Sequence, residues 1–130
     1  MHTTPLIPTG FDIHVVFSTD QTERALTLYQ NFLSFLTKHK ISFHNQKVFH
    51  QPVGPWPLPM WQVILSTNPK IHEELGRCIS WFMLNRDGFS VMIHPNTEQV
   101  ENKGGAYEDH SQHHLWLGTP ITLNMAIFTR

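Results

Sequence analysis

A single cysteine in 130 residues leaves no intrachain disulfide and no cysteine-rich zinc centre, and it suits a reducing compartment. That residue, Cys78, falls in the apolar stripe of an expected helix, where packing is a better use for it than nucleophilic chemistry. Charge is also scarce. Nine lysines and arginines stand against ten aspartates and glutamates, and the charged fraction of 15% is below the roughly 25% of ordinary domains. No basic field is available for nucleic acid, and a net charge of −1 gives no long-range steering. No apolar run approaches the roughly 20 residues of a membrane span. Residues 1–10 carry Pro5 and Pro8 without an apolar stretch, so they are expected to form a flexible arm on a cytoplasmic protein. There is no phosphate-cradling glycine loop, no GxSxG elbow and no HExxH helix. His72-Glu73-Glu74 lacks a second histidine four positions on and reads as solvated surface.

What remains is apolar and rich in histidine. Hydrophobic residues make up 40% of the chain and aromatics 12%, enough to fill one core, and the length fits a single domain over 1–130. Ten histidines outnumber the lysines and arginines together. Histidine is both a proton shuttle and the commonest metal ligand, so this excess is the first sign of chemistry.

Residues 11–18, FDIHVVFS, alternate Phe11, Ile13, Val15 and Phe17 against Asp12, His14, Val16 and Ser18, the period of a half-buried strand. Asp20 with Glu23 three positions on has the form of a helix cap. Ala25, Leu28, Tyr29, Phe32, Leu33 and Leu36 then recur at helical spacing, ending near Lys38–Lys40. A weakly alternating strand over 41–50 puts His44, Val48 and His50 on one face. The proline-rich stretch 51–59 is a stiff connector. Residues 60–66 resume as a strand. Asn68-Pro69 opens a second helix with Ile71, Leu75, Cys78, Ile79 and Phe82 inward, and Asp87-Gly88 turns into a fourth strand over 89–94. Residues 96–112 read as a loop around Gly104-Gly105. An apolar segment over 115–128, broken by Gly118 and Pro120, closes the chain.

This order predicts an α+β ferredoxin-like sandwich, an antiparallel sheet with two helices on one face and an extra C-terminal segment. In that topology the first strand lies between the third and fourth and runs opposite to both. His14 and His94 become neighbours on the face away from the helices, beside Asp12 and Met92, with Val16, Val48 and Met60 or Ile64 around them. The face needs a cover, which the tail or a second copy of the chain could supply. His110, His113 and His114 follow in a polar loop, and Asp12, Glu98, Glu108 and Asp109 are the carboxylates that could complete a histidine site.

Asp12-Ile13-His14-Val15-Val16-Phe17, His50-Gln51-Pro52-Val53-Gly54-Pro55, Met83-Leu84-Asn85-Arg86, His94-Pro95-Asn96-Thr97, and His113 with Leu115-Trp116-Leu117-Gly118 resemble the DOPA 4,5-dioxygenase family. The likeness runs in order over nearly the whole chain. It implies a small ferredoxin-like protein, often a homodimer, related to the fungal enzyme that opens the catechol ring of L-DOPA. The expected partners are a small aromatic substrate and dioxygen, and the expected cofactor is Fe(II). The family's motif histidines fall on His14, His50, His94 and His113. Strand adjacency for the first and third, and the motif for the last, make His14, His94 and His113 the expected metal ligands, with His50 as acid or base. Trp56 and Asp12 are the expected substrate contacts. Relatives usually continue the connector with histidine where this chain has Trp56, so a non-catalytic dimeric protein that binds a small molecule or metal is the alternative.

Overall fold

The computed structural model describes residues 8–97 and 106–128. The beginning of the expected arm and the Gly104-Gly105 centre of the expected loop lie outside the described residues. β1 (Gly10–Val16) forms because its residues alternate between two apolar environments. Phe11, Ile13 and Val15 enter the main core, while Val16 joins a second cluster on the opposite face. α1 (Thr22–Lys38) follows a single 3-10 turn, Thr19–Gln21. The expected Asp20–Glu23 cap is replaced two residues earlier, where the Ser18 backbone N–H donates to Gln21 Oε1 at 3.1 Å. Ala25, Leu28, Tyr29, Phe32 and Leu36 are buried along α1, as their spacing predicts.

β2 (Phe43–Phe49) and β3 (Met60–Ser66) are joined by the proline-rich connector, and α2 (Ile71–Asn85) leads into β4 (Ser90–Pro95). The sheet order is β2-β3-β1-β4-β5, antiparallel throughout, with β5 (Leu115–Leu117) added beside β4. The ferredoxin-like order is therefore present and extended by one strand from the C-terminal segment. Phe11 pairs with Pro95 and Asp12 with His94, which brings the start of β1 to the end of β4. No described helix is long and apolar enough to cross a membrane.

The main core lies between the sheet and the two long helices. Trp61 is fully buried there and donates its indole N–H to the Ala25 carbonyl at 2.9 Å. Cys78 belongs to the same core. Burial, with Glu74 beside it, pushes its thiol up to about 12, in keeping with a packing role. The reading of His72-Glu73-Glu74 as solvated holds for the first two only. Glu74 is buried and accepts from Asn68 Nδ2 at 2.8 Å, at the opening of α2.

Two further expectations are corrected. The pairing of β2 with β3 shifts register between His44 and Lys47, where Asn45 takes a φ of 50°. A bulge of this kind reverses which side chains face which way. His44 still shares the open face with Ile64, but Lys47 pairs with Gln62 on that face and Val48 turns to pair with Trp61 and pack on the helix-side core. Val48 is thus not a wall of the histidine face. The stretch 96–112 is not only loop, since α3 (Ala106–Ser111) forms within it.

Gly118, just after β5, has a φ of 82°, and a Cβ there would lie 2.6 Å from Arg86 Nη1. That guanidinium donates to the Phe89 carbonyl at 3.0 Å and fastens the turn into β4. Arg86 and Gly118 are therefore both accounted for by packing. Gly118→Ala is expected to cost about 1–3 kcal/mol, the range for a non-glycine residue held in a left-handed conformation. Urea denaturation at pH 7 checks this; an unchanged midpoint would show that the turn relaxes freely.

Candidate metal centre

His14 on β1 and His94 on β4 stand diagonally across the ladder, and both rings leave the sheet on the face opposite the helices. Their Nε2 atoms are 3.1 Å apart and both side chains are almost fully buried. The His94 Nδ1–H donates to the Pro95 carbonyl at 2.9 Å, which leaves its Nε2 as a lone pair aimed at His14. His14 Nδ1 is buried with no hydrogen-bond partner. The third member is His110 on α3. One nitrogen from each of His14, His94 and His110 lies within 4.8 Å of the others.

α3 is fastened to the end of β4 by Asp109, which is 2% exposed. Its Oδ2 accepts from the Thr97 backbone N–H at 2.9 Å, and its Oδ1 accepts from the Thr97 hydroxyl at 2.8 Å and from His113 Nδ1 at 2.8 Å. Thr97 leaves the sheet just beyond His94, so this buried carboxylate sets the distance between the strand and the helix that carries His110. His113 holds Asp109 from the other side and is not among the three clustered imidazoles. His50 lies beyond the last paired residue of β2 and is exposed.

Asp12 completes the floor. Its Oδ2 is 3.7 Å from His14 Nε2 and 3.6 Å from His94 Nε2, and its Oδ1 accepts from Asn96 Nδ2 at 2.6 Å. Burial raises the Asp12 carboxyl above its ordinary range, against the Asn96 hydrogen bond and the nearby His110 and His44. Burial also holds His14 well below the usual imidazole range, reinforced by His94 and His110. It lowers His94 as well, opposed by the Pro95 carbonyl and Asp109. Both imidazoles are therefore neutral near pH 7, and their contacts with Asp12 are not ion pairs.

Trp56 closes the site from the connector. It is 4% exposed, its ring centroid is 4.5 Å from that of His14, and it packs with Val16, Met60 and Met92. Trp116, Ile121 and Leu123 from the C-terminal segment join this cluster, and the Asn124 N–H donates to the Pro55 carbonyl at 2.8 Å. The tail, one of the two covers expected for the histidine face, covers part of it. His110 also stacks on Phe128, with centroids 4.8 Å apart.

The donor set fits a first-row divalent ion. Two neutral imidazole nitrogens 3.1 Å apart, one with its proton donated to a backbone carbonyl and the other with an orphaned second nitrogen, are arranged as ligands are. The residue that strand periodicity could not find is His110. Its signal was the acidic pair Glu108 and Asp109 just ahead of it, the pattern of a first helical turn, which turns His110 away from Asp109 and places His113 one turn on.

A ferredoxin-like sheet carrying two buried histidines and a half-buried third under an aromatic cover defines an α+β protein with a candidate metal site. Residues 11–127 match the Dopa 4,5-dioxygenase family, and the chain belongs to it. It is 29% identical over 127 aligned residues to an uncharacterized 21.2 kDa protein of Botryotinia fuckeliana, covering 93% of this chain and 64% of that protein's length. The crystal structure of a proposed dioxygenase from Nostoc punctiforme is similar, with a TM-score of 0.73 and 28% identity over 92% of this chain and 90% of the other.

The lowered imidazoles make stability depend on pH. An unfolded chain with imidazoles near 6.5 takes up protons that folded His14 and His94 refuse. In metal-free protein their contribution is complete above that value and is lost as pH falls through it, by up to about 1.4 kcal/mol per pH unit for each group. Asp12 acts oppositely: its raised carboxyl contributes stability that is complete below the ordinary carboxylate value and is lost as pH rises through the folded pKa. The urea midpoint in the presence of chelator is expected to drop between pH 7 and pH 5, and His14→Gln to flatten the drop. A flat profile for the unsubstituted protein would contradict the buried neutral pair.

Proposed function

We propose that this protein is a non-haem iron(II) extradiol dioxygenase that opens the ring of a catechol such as L-DOPA or a related small aromatic. The observation that carries the reading is the His14–His94–His110 cluster, three imidazoles converging within 4.8 Å beside a buried aromatic wall. Bound by these three groups, iron(II) would leave positions for both catechol oxygens and for dioxygen. Both atoms of dioxygen enter the product as the ring carbon–carbon bond beside the diol breaks, so no further reductant is needed.

The chain's own residues supply orientation and proton transfer. His94 is held in one tautomer by Pro95, and His110 is set by Asp109 and its partners Thr97 and His113. Asp12, against the cluster, accepts a proton from a substrate hydroxyl, and its raised pKa suits that task. Trp56 walls the site beside His14 and excludes water from it. His50, exposed beyond β2, is the expected acid or base from the motif likeness. The same Trp56 favours a second reading, since it rests on His14 at a position where relatives usually carry histidine: a protein that binds a metal and a small aromatic without turnover.

Oxygen uptake with parallel visible spectra, after mixing anaerobically iron(II)-loaded protein with a panel of catechols, separates the two. Uptake with a yellow product supports the dioxygenase. No uptake by protein that demonstrably holds iron supports the binding protein. His94→Ala and His110→Ala are each expected to abolish tight iron(II) binding by calorimetry, whereas His113→Ala should weaken it by about 10–100-fold, the usual cost of losing a supporting partner. Full affinity in His110→Ala, with loss in His113→Ala, would give the third position to His113. His50→Ala should leave iron bound and slow turnover; an unchanged rate removes it from the reaction.

A further inference from the structure

The open face of the sheet is covered over one half only. Rows of cross-strand partners run across it. Asp12 pairs with His94 on one side and Ile64 on the other, and Ile64 pairs with His44. In the next row His14 pairs with Met92 and Gln62, and Gln62 pairs with Lys47. Trp56 and the C-terminal segment pack over Val16, Met60 and Met92. Ile64 and Gln62 stay half-buried, and His44 and Lys47 are exposed. The result is a shelf that begins at the histidine cluster and ends at β2.

Lys47 reaches this shelf only because of the bulge. Without the register shift between His44 and Lys47, strict alternation from His44 would place Val48 there and turn Lys47 to the helix side. Bulges are over-represented beside active sites, where they re-aim a side chain. The ammonium is held in place over the Phe49 ring, 4.9 Å from its centroid. Lys47 is two strands from His14, about 10 Å at ordinary strand spacing. His44, whose Nδ1 is hydrogen-bonded to Ser66 Oγ at 2.8 Å, ends the neighbouring row. At the other end of the shelf stands the carboxyl of Asp12, so the shelf is cationic at its β2 end and acidic at the cluster.

We infer that Lys47 is a specificity-determining residue that reads an anionic group on the substrate's side chain, selecting aromatics that carry a carboxylate at the end of a short chain over neutral ones. This rests on the catechol-binding reading above. The diol meets the cluster at its Asp12 edge, beside Trp56 rather than beneath it, the side chain lies along Gln62 and Ile64, and the carboxylate meets the ammonium over Phe49. Because Lys47 is exposed, its replacement leaves the core and the histidines untouched.

The test is anaerobic calorimetry on zinc-loaded protein with 3-(3,4-dihydroxyphenyl)propanoate and with 4-ethylcatechol, which share the diol and differ in the charge of the tail. The propanoate is expected to bind about three- to fivefold more tightly, the size of a solvent-exposed ion pair, and the preference to shrink in 0.5 M salt. Lys47→Met should erase the preference without changing the Kd of 4-ethylcatechol, and Lys47→Arg should restore it. Equal binding of the two by the unsubstituted protein, or a preference that survives in Lys47→Met, overturns the role of Lys47 and leaves the catechol reading intact. Binding of neither compound overturns the catechol reading and this inference with it.

Discussion

The antiparallel register of β1 with β4 is the constraint from which the site follows. Asp12 opposite His94 places two imidazoles diagonally on one face, and burial lowers both so that they stay neutral side by side. A slip of one residue would send His14 or His94 into the main core and bring an apolar residue out in its place, so the apolar partners Ile13, Val15, Val91 and Ile93 fix the histidines as firmly as they fix the fold. The site is a by-product of core packing on the other side of the same strands.

Much of this was legible because period-two alternation is a strong signal in a sheet with one face on a core. Phe11, Ile13 and Val15 against Asp12, His14 and Val16 gave the register of β1, and Phe89, Val91 and Ile93 did the same for β4. The helix stripes on α1 and α2 were equally readable, since one face of each meets Trp61 and its neighbours. Topology then put His14 next to His94 without any appeal to the loops.

What could not be read lies where local chemistry overrides periodicity. Asn45 adopts a left-handed backbone that few residues accept, and this single event exchanges Val48 for Lys47 on the open face. The third clustered histidine depends on a six-residue helix too short to show a stripe. Its orientation comes from Asp109 reaching Thr97, 12 residues back along the chain. In a segment with several histidines, residue type alone could not distinguish His110 from His113; the buried carboxylate between them decides which one turns inward.

The cover over the cluster is built from two segments remote in sequence, the proline connector and the C-terminal stretch; the Asn124–Pro55 hydrogen bond joins them to each other, and their apolar side chains pack on the sheet. Neither contributes a clustered imidazole. The division of labour has an evolutionary consequence. Insertions or exchanges in either segment can reshape the space above the histidines without disturbing the strand register that assembles them. Because the two are tied, a change in one will tend to be answered by a change in the other. Variation in what the fold accepts is therefore expected to accumulate as paired edits to the connector and tail, while β1 and β4 stay fixed.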